Sequence, residues 1–349
     1  MPNVTAERLT VIAKGLLIAA GASEEEATVI ARYNIGANLV GHDSHGIILI
    51  PQYIDRIKAG HIVPQAPWVI TQETPTTTVI DGNWGFGYVV NDRAMRYTIE
   101  KAKKQNVAAT TVFHQSHIGR LASYPLLASA EGMIAMITAD SGRSPKHVAP
   151  YGGAKARLGT NPICFAIPSN LEGPLVFDMA TSAAAAGKIN VATARGEQVP
   201  AGWLIDAEGK PSTDPKVLRA GGALLPLGGT EGYKGTGLAA IVEILSGLLT
   251  GLGFGIDPQG RHNDGCFMAV FNVAAFRDLN TFKAEVTDFA HYLKATPPAQ
   301  GFKEVYYPGE VEFLKEKDRR VNGVPIEDAT WKRLQDMATG FGIADKLPF

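Results

Sequence analysis

Residues 107–113, VAATTVF, residues 133–138, MIAMIT, residues 163–167, ICFAI, and residues 174–177, PLVF, are four short apolar runs separated by polar loops. Each has the length and the β-branched or aromatic content of a strand, and together they predict a central sheet. Three of the four run straight into polar residues: the first into His114-Gln-Ser-His117, the second into Asp140 and the fourth into Asp178. Loops carried on a rigid sheet are where functional groups usually sit.

Outward from this sheet the pattern changes. Leu9, Ile12, Leu16 and Leu17 recur at helical spacing, Gly21 offers a stop, and Ser23-Glu-Glu-Glu26 reads as a capping box that opens a second helix through Ile30 and Ile35. Between Trp68 and Val90, TTTVIDG and GFGYVV read as strands, and NDRAMRYTIEKAKKQ then reads as an amphipathic helix. Composition shifts near residue 70. Near the other end, VEFLKEKDRR is a charge-dense helix whose charges read as a solvated face, followed by a Gly-Val-Pro break and a closing helix near Trp331.

A length of 349 residues allows about two domains. Apolar residues make up 45% and charged residues 19%, enough for a large buried core and incompatible with a disordered chain. Thirty-three Lys plus Arg nearly cancel thirty-four Asp plus Glu without a block of either sign, so the chain has no footprint for nucleic acid or anionic lipid. Cys164 and Cys266 sit in apolar runs and read as buried free thiols in a reducing cytoplasm. Glu7, Arg8 and Lys14 leave GLLIAAGA too short for a secretory signal. Residues 237–256 are nearly long enough to span a bilayer, but Glu243 in the middle and five glycines argue for a buried helix with a Gly-rich end.

The chemical motifs point away from the familiar nucleotide loops. Gly235-Thr-Gly237-Leu-Ala-Ala240 matches G-x-G-x-x-A, yet it follows the polar LGGTEGYK where a dinucleotide fingerprint closes a strand. The Gly187-Lys188 pair lacks the rest of a phosphate loop. Histidines are more telling: His42, Asp43, Ser44 and His45 lie in GHDSHG, and His114 and His117 in HQSHIG. An imidazole beside a substrate hydroxyl is what reversible hydride transfer needs, because the hydroxyl proton must leave as the hydride does, and either His45 or His117 could serve. The alternative is a metal-dependent hydrolase built on His42, His45 and His117, although no nearby third ligand has zinc-site spacing. Thr181 and Ser182 are placed to cap the helix begun by the Ala run after Asp178, creating donors for an anion. Lys234 between glycines could meet a phosphate or carboxylate, or could be a solvated loop lysine.

Taken in order, GHDSHG with Pro51-Gln-Tyr53, DGNWGFG, SHIG, APYGG, GTNPICFAIP, DMATSAAAAGK, GYKGTGLA and the late Pro308-Gly-Glu310 resemble the malate/L-lactate dehydrogenase type 2 family of NAD(P)-dependent oxidoreductases. The resemblance spans nearly the whole chain. It implies an α+β fold with a non-Rossmann dinucleotide-binding central sheet domain (residues 71–304) and a helical domain built from both chain ends (residues 1–70 with 305–349). It further implies a homodimer that uses NAD, with NADP as the alternative, and takes a small 2-oxo or 2-hydroxy acid as partner. Carried over, His117 matches the acid/base histidine, and His45 matches a histidine that is the proton donor in some members; of the two, we expect His117 to be the acid/base group and His45 its polar partner, exchanging protons through it or through Ser44. Thr160, Asn161, Pro162, Asp178, Met179, Ala180, Thr181, Ser182, Lys234, Gly235, Gly309 and Glu310 fall in cofactor-contacting segments. Tyr53 falls at the substrate.

One position departs from the pattern. The family's SHG-x-x-R ends in an Arg that grips the substrate carboxylate, and here that position is Leu49. In this it is similar to the hydroxycarboxylate dehydrogenase B branch. Arg120, three residues after His117, is the expected replacement, with Arg143 less well placed; its competing roles are a cofactor phosphate or an internal ion pair. An apolar wall at Leu49 would favour substrates with an apolar or aromatic side chain over malate, and a cyclic imine carboxylate reductase is the neighbouring reading.

Overall fold

A computed structural model of the chain describes residues 1–140, 144–256, 261 and 263–349. A two-residue strand, β1 (Asn3–Val4), leads into α1 (Ala6–Ala19) and α2 (Glu24–Leu39). The capping box forms as read: Ser23 Oγ accepts the Glu26 N–H at 3.2 Å and Glu26 Oε2 accepts the Ser23 N–H at 2.9 Å. Two short 3₁₀ turns over residues 43–49 then carry GHDSHG into α3 (Ile50–Lys58).

β2 (Val69–Glu73) and β3 (Thr77–Gly85) follow, then α4 (Gly87–Gln105) and β4 (Val107–Gln115). The reading of GFGYVV as a strand is corrected here, because Gly87 to Val90 belong to α4. Residues 85–90, GFGYVV, are all buried, so the entry and first turn of this helix carry the unbroken apolar run that a buried strand would show.

α5 (Pro125–Ala130), β5 (Met133–Ala139), β6 (Ile163–Ile167), β7 (Leu175–Met179) and α6 (Ala186–Arg195) come next. A small three-stranded sheet of β8 (Leu204–Ile205), β9 (Pro211–Ser212) and β10 (Ala223–Leu224) precedes α7 (Gly232–Glu243). Then come β11 (Cys266–Asn272), α8 (Leu279–Lys294), α9 (Glu310–Asn322), β12 (Val324–Pro325) and α10 (Asp328–Gly340).

The principal sheet has seven strands in the order β2-β3-β4-β11-β5-β6-β7. β3 and β4 pair in parallel across α4, and the other neighbours are antiparallel. Its centre is β11, which arrives late in the chain and inserts between β4 and β5. One continuous apolar core runs from the terminal helices into the sheet, joining Leu9, Ile30, Tyr53, Tyr88, Ile137, Val270 and Leu334. The two ends of the chain meet where β1 pairs with β12, Val4 opposite Val324.

Residues 237–256 do not form one buried helix. α7 ends at Glu243, a π-helical turn covers residues 244–248, and Ile241, Ile244, Leu248 and Leu249 are about half exposed. Among the described residues no helix is long and apolar enough to cross a membrane.

Candidate active site

Strand register decides which residues meet. Cys266 pairs with Val112 of β4 and with Ala139 of β5, Thr138 pairs with Ile163 of β6, and Ile163 pairs with Met179 of β7. The exit of β4 toward His117, the approach to β11 through Asp264, the exit of β5 at Asp140, the approach to β6 through Thr160-Asn161-Pro162 and the exit of β7 at Asp178 therefore share one edge of the sheet.

At that edge Gln115 Nε2 donates to the Asp264 carbonyl at 2.9 Å, and Asp264 Oδ2 accepts the Ile118 N–H at 3.2 Å. These bonds fix the backbone on both sides of His117. The His117 Nδ1 lies 2.8 Å from the Tyr53 hydroxyl of α3. Tyr53 donates to the Tyr88 hydroxyl at 3.3 Å, and Asn34 Nδ2 donates to the same Tyr88 oxygen at 2.9 Å. Burial holds both Tyr53 and Tyr88 well above the usual phenol range, so both stay neutral. Gly119 is required where Tyr88 closes over the loop: its φ is +73°, and a Cβ there would sit 2.1 Å from the Tyr88 hydroxyl.

The GHDSHG turn brings the second histidine alongside. The His45 and His117 rings stack with centroids 5.8 Å apart and planes 20° apart. Ser44 Oγ lies 3.1 Å from His45 Nδ1, and the His45 carbonyl accepts the Asn34 amide at 2.9 Å. Burial first, then the nearby charges of His42 and Arg120, pull the His45 imidazole down to a pKa of about 4. Asp43 is turned the other way and is gripped by Arg319 of α9 through two parallel hydrogen bonds of 2.7 and 2.9 Å. That corrects the reading of the late charge run as purely solvated, since one of its arginines crosses the chain to hold this turn. His42 Nε2 lies 3.5 Å from Glu312, and His114 Nδ1 lies 3.1 Å from Asp81 with its ring stacked on Trp84 at 4.9 Å. These two histidines have carboxylate partners of their own.

The Arg120 side chain is only 9% exposed, and its Nε is 3.9 Å from Asp178 Oδ2. Nε is buried and has no hydrogen-bond partner among the described residues. Asp178 Oδ2 instead accepts the Ala122 N–H at 2.9 Å. Burial pushes the Asp178 carboxyl up, against the opposing pull of Arg120 and of that N–H. Leu49 is half-buried and packs against the main core. Arg143 lies outside the described residues.

The segments read as cofactor contacts occupy different settings. Thr181 and Ser182 do not cap α6. Thr181 Oγ1 donates to the Thr160 and Asn161 carbonyls at 3.1 and 3.0 Å, and Ser182 Oγ donates to the Ala184 carbonyl at 2.7 Å. The helix starts later, with Ala185 at its cap and no side-chain acceptor, because both hydroxyls already have backbone acceptors upstream of it. A Cβ on Gly187 in its first turn would lie 3.2 Å from Ser44 Cβ, so this uncapped end adjoins the His45 turn. Met179, Ala180 and Pro162 are half-buried, and Asn161 is fully buried. Lys234 is exposed and lies 3.1 Å from Glu231, and Gly235 is buried. Gly309 caps α9, and the buried Glu310 pairs with Lys294 and accepts the Tyr307 N–H at 3.2 Å.

Among the described residues no group of three His, Cys, Asp or Glu side chains could hold a metal ion. Asn34, Tyr88, Gln115 and Asp264 were not singled out in the sequence. Each is a buried polar residue whose partner lies far along the chain, and only buried polarity within an apolar helix face marks Asn34.

This sheet edge gathers two stacked histidines, a buried tyrosine relay and a buried arginine whose Nε has no hydrogen bond among the described residues. The chain belongs to the malate/L-lactate dehydrogenase family, whose model matches residues 4–335. It is 36% identical to an L-sulfolactate dehydrogenase of Methanothermobacter thermautotrophicus, covering 96% of each chain. It is 33% identical to hydroxycarboxylate dehydrogenase B of Escherichia coli O157:H7, over 93% of this chain and 91% of that one. A solved malate dehydrogenase from Entamoeba histolytica superposes with a TM-score of 0.94 at 35% identity, covering 100% of this chain and 99% of that one.

Proposed function

We propose that the protein interconverts a 2-oxo acid and a 2-hydroxy acid by hydride exchange with a nicotinamide cofactor, NAD in the first instance and NADP as the alternative. The observation that carries this reading is the pairing of His117, held by Tyr53, with a His45 that stays neutral at physiological pH, together with a buried Arg120 whose Nε has no hydrogen bond and whose one ion-pair contact, to Asp178, is long at 3.9 Å. Family membership supports the reaction class.

His117 is the group that exchanges the substrate hydroxyl proton, because its Nδ1 is engaged with Tyr53 and its ring is fixed by that contact. His45 keeps the space beside it uncharged, so a protonated His117 meets no second imidazolium. Ser44 orients His45. Arg120 holds the substrate carboxylate in place of the arginine missing at Leu49, since a buried guanidinium without a hydrogen bond is satisfied by an anion of matching geometry. The half-buried Leu49 favours an apolar or aromatic substrate side chain, while Ile47 beside it is part of the core.

The residues suit an anionic dinucleotide: the uncapped start of α6 beside Ser44 leaves backbone N–H groups for a diphosphate. The cofactor supplies the hydride. In this reading the sheet part (residues 71–304) binds it by a non-Rossmann arrangement, and the helical part (residues 1–70 with 305–349) closes the substrate side. The half-exposed row of Ile241, Ile244, Leu248 and Leu249 supports assembly as a homodimer, which sedimentation would test, and a cytoplasmic location goes with the two reduced cysteines. The test of function is absorbance at 340 nm with NADH and NADPH across 2-oxo acids with apolar, aromatic and acidic side chains. No oxidation of either cofactor with any of them would overturn the proposal.

A further inference from the structure

Lys146 and Glu243 form an ion pair of 3.0 Å in which the side chains are 1% and 8% exposed. Glu243 is the carboxylate that interrupts the apolar run after Lys234. Its second oxygen, Oε2, accepts Asn161 Nδ2 at 2.8 Å, and the same amide donates to the Ala239 carbonyl at 2.9 Å. Asn161 is fully buried and held at φ +38°, a left-handed conformation that Asn tolerates better than most side chains.

From Asn161 the bonding continues outward. The Thr160 carbonyl accepts the Thr181 N–H at 2.9 Å, and the Thr160 and Asn161 carbonyls together accept the Thr181 hydroxyl. The Thr181 carbonyl accepts the Leu227 N–H at 2.9 Å, and a Cβ on Gly235 would fall 2.1 Å from the Leu227 carbonyl. Two segments far apart in sequence, 160–162 and 178–182, are thus tied to one buried charge pair, and Gly235 packs against the Leu227 that Thr181 holds. A buried ion pair is weak grounds for stability, because two apolar side chains of similar volume often serve as well. What apolar side chains cannot supply is an acceptor for Asn161.

We infer that Lys146 and Glu243 are positioning residues for cofactor capture: Lys146 holds the Glu243 carboxylate, Glu243 holds Asn161, and Asn161 sets the turn on which Thr181 and the Asp178–Ser182 segment rest. This rests on the reading of those segments as cofactor contacts. Two double variants separate positioning from packing. Lys146→Met with Glu243→Met removes the pair and the acceptor. Lys146→Met with Glu243→Gln removes the charges and keeps a carbonyl oxygen for Asn161.

Followed by fluorescence of bound NADH or NADPH, whichever the wild type takes, the Met/Met protein should bind about tenfold more weakly. The Met/Gln protein should stay within about threefold of wild type, with the two variants unfolding at similar temperatures. Wild-type affinity in the Met/Met protein, or equal weakening in both, overturns the inference. Should the Met/Met protein not fold, Asn161→Ala carries the same expectation, and wild-type affinity there overturns it equally. A wild-type protein that binds neither reduced cofactor overturns the functional reading itself.

Discussion

The His45 and His117 rings stack at 5.8 Å, though the two residues come from different loops and only the His117 ring bonds to the tyrosine relay. Stacked imidazoles cannot both be charged without repulsion, and the lowered His45 pKa already decides which one stays neutral. His117→Asn should therefore lower kcat by about 10²–10⁴-fold with an unchanged thermal midpoint. His45→Gln, which keeps a neutral polar side chain, should cost about tenfold or less. Steady-state kinetics of the two variants check the assignment, and the reverse ranking would exchange the roles.

His45 also carries a pH signature. Its pKa falls from 6.5 in the unfolded chain to about 4 in the folded protein, so between these values the unfolded state binds more protons and stability rises with pH. The contribution is complete above pH 6.5 and is lost as pH falls through about 4, at most about 3 kcal/mol. Thermal midpoints of wild type and His45→Gln between pH 7 and pH 4 should converge as the pH falls. Parallel curves would contradict the shift.

Arg120 separates substrate from cofactor. Arg120→Ala should raise KM for the 2-oxo acid by about 10–100-fold, the worth of a charge-assisted pair, and leave affinity for the cofactor unchanged. Arg120→Lys should recover only part of this, since an ammonium lacks the planar fork. Weaker cofactor binding with an unchanged substrate KM would assign Arg120 to a phosphate instead.

Leu49→Arg should shift selectivity. A guanidinium on this turn, added to that of Arg120, should raise kcat/KM for oxaloacetate relative to an apolar 2-oxo acid by about tenfold or more. An unchanged ratio would show that Leu49 does not face the substrate.

Much of this arrangement is legible in the sequence. The capping box at Ser23 and Glu26 and the strands β4 to β7 follow from local pattern, because each depends on neighbours within a few residues. β11 is different: CFMAVFN has strand composition, but its place at the sheet centre depends on partners more than a hundred residues away. The same holds at the site. His117, His45 and Arg120 are marked by residue type within short motifs, whereas Asn34, Tyr88 and Asp264 act through partners that no spacing rule links. Thr181 and Ser182 show the opposite limit, since they stand where caps stand and bond to carbonyls instead.

The clasp between Asp43 and Arg319 spans 276 positions of sequence. A ribosome adding about 5–20 residues per second releases the first of these residues on the order of tens of seconds before the second. From His117 onward the nascent polypeptide owns both histidines and lacks the hand that sets one of them. Under the proposed function the turn that carries His45 is completed only once α9 has been made, and separating α9 from the preceding chain would loosen that turn while leaving both histidines in place.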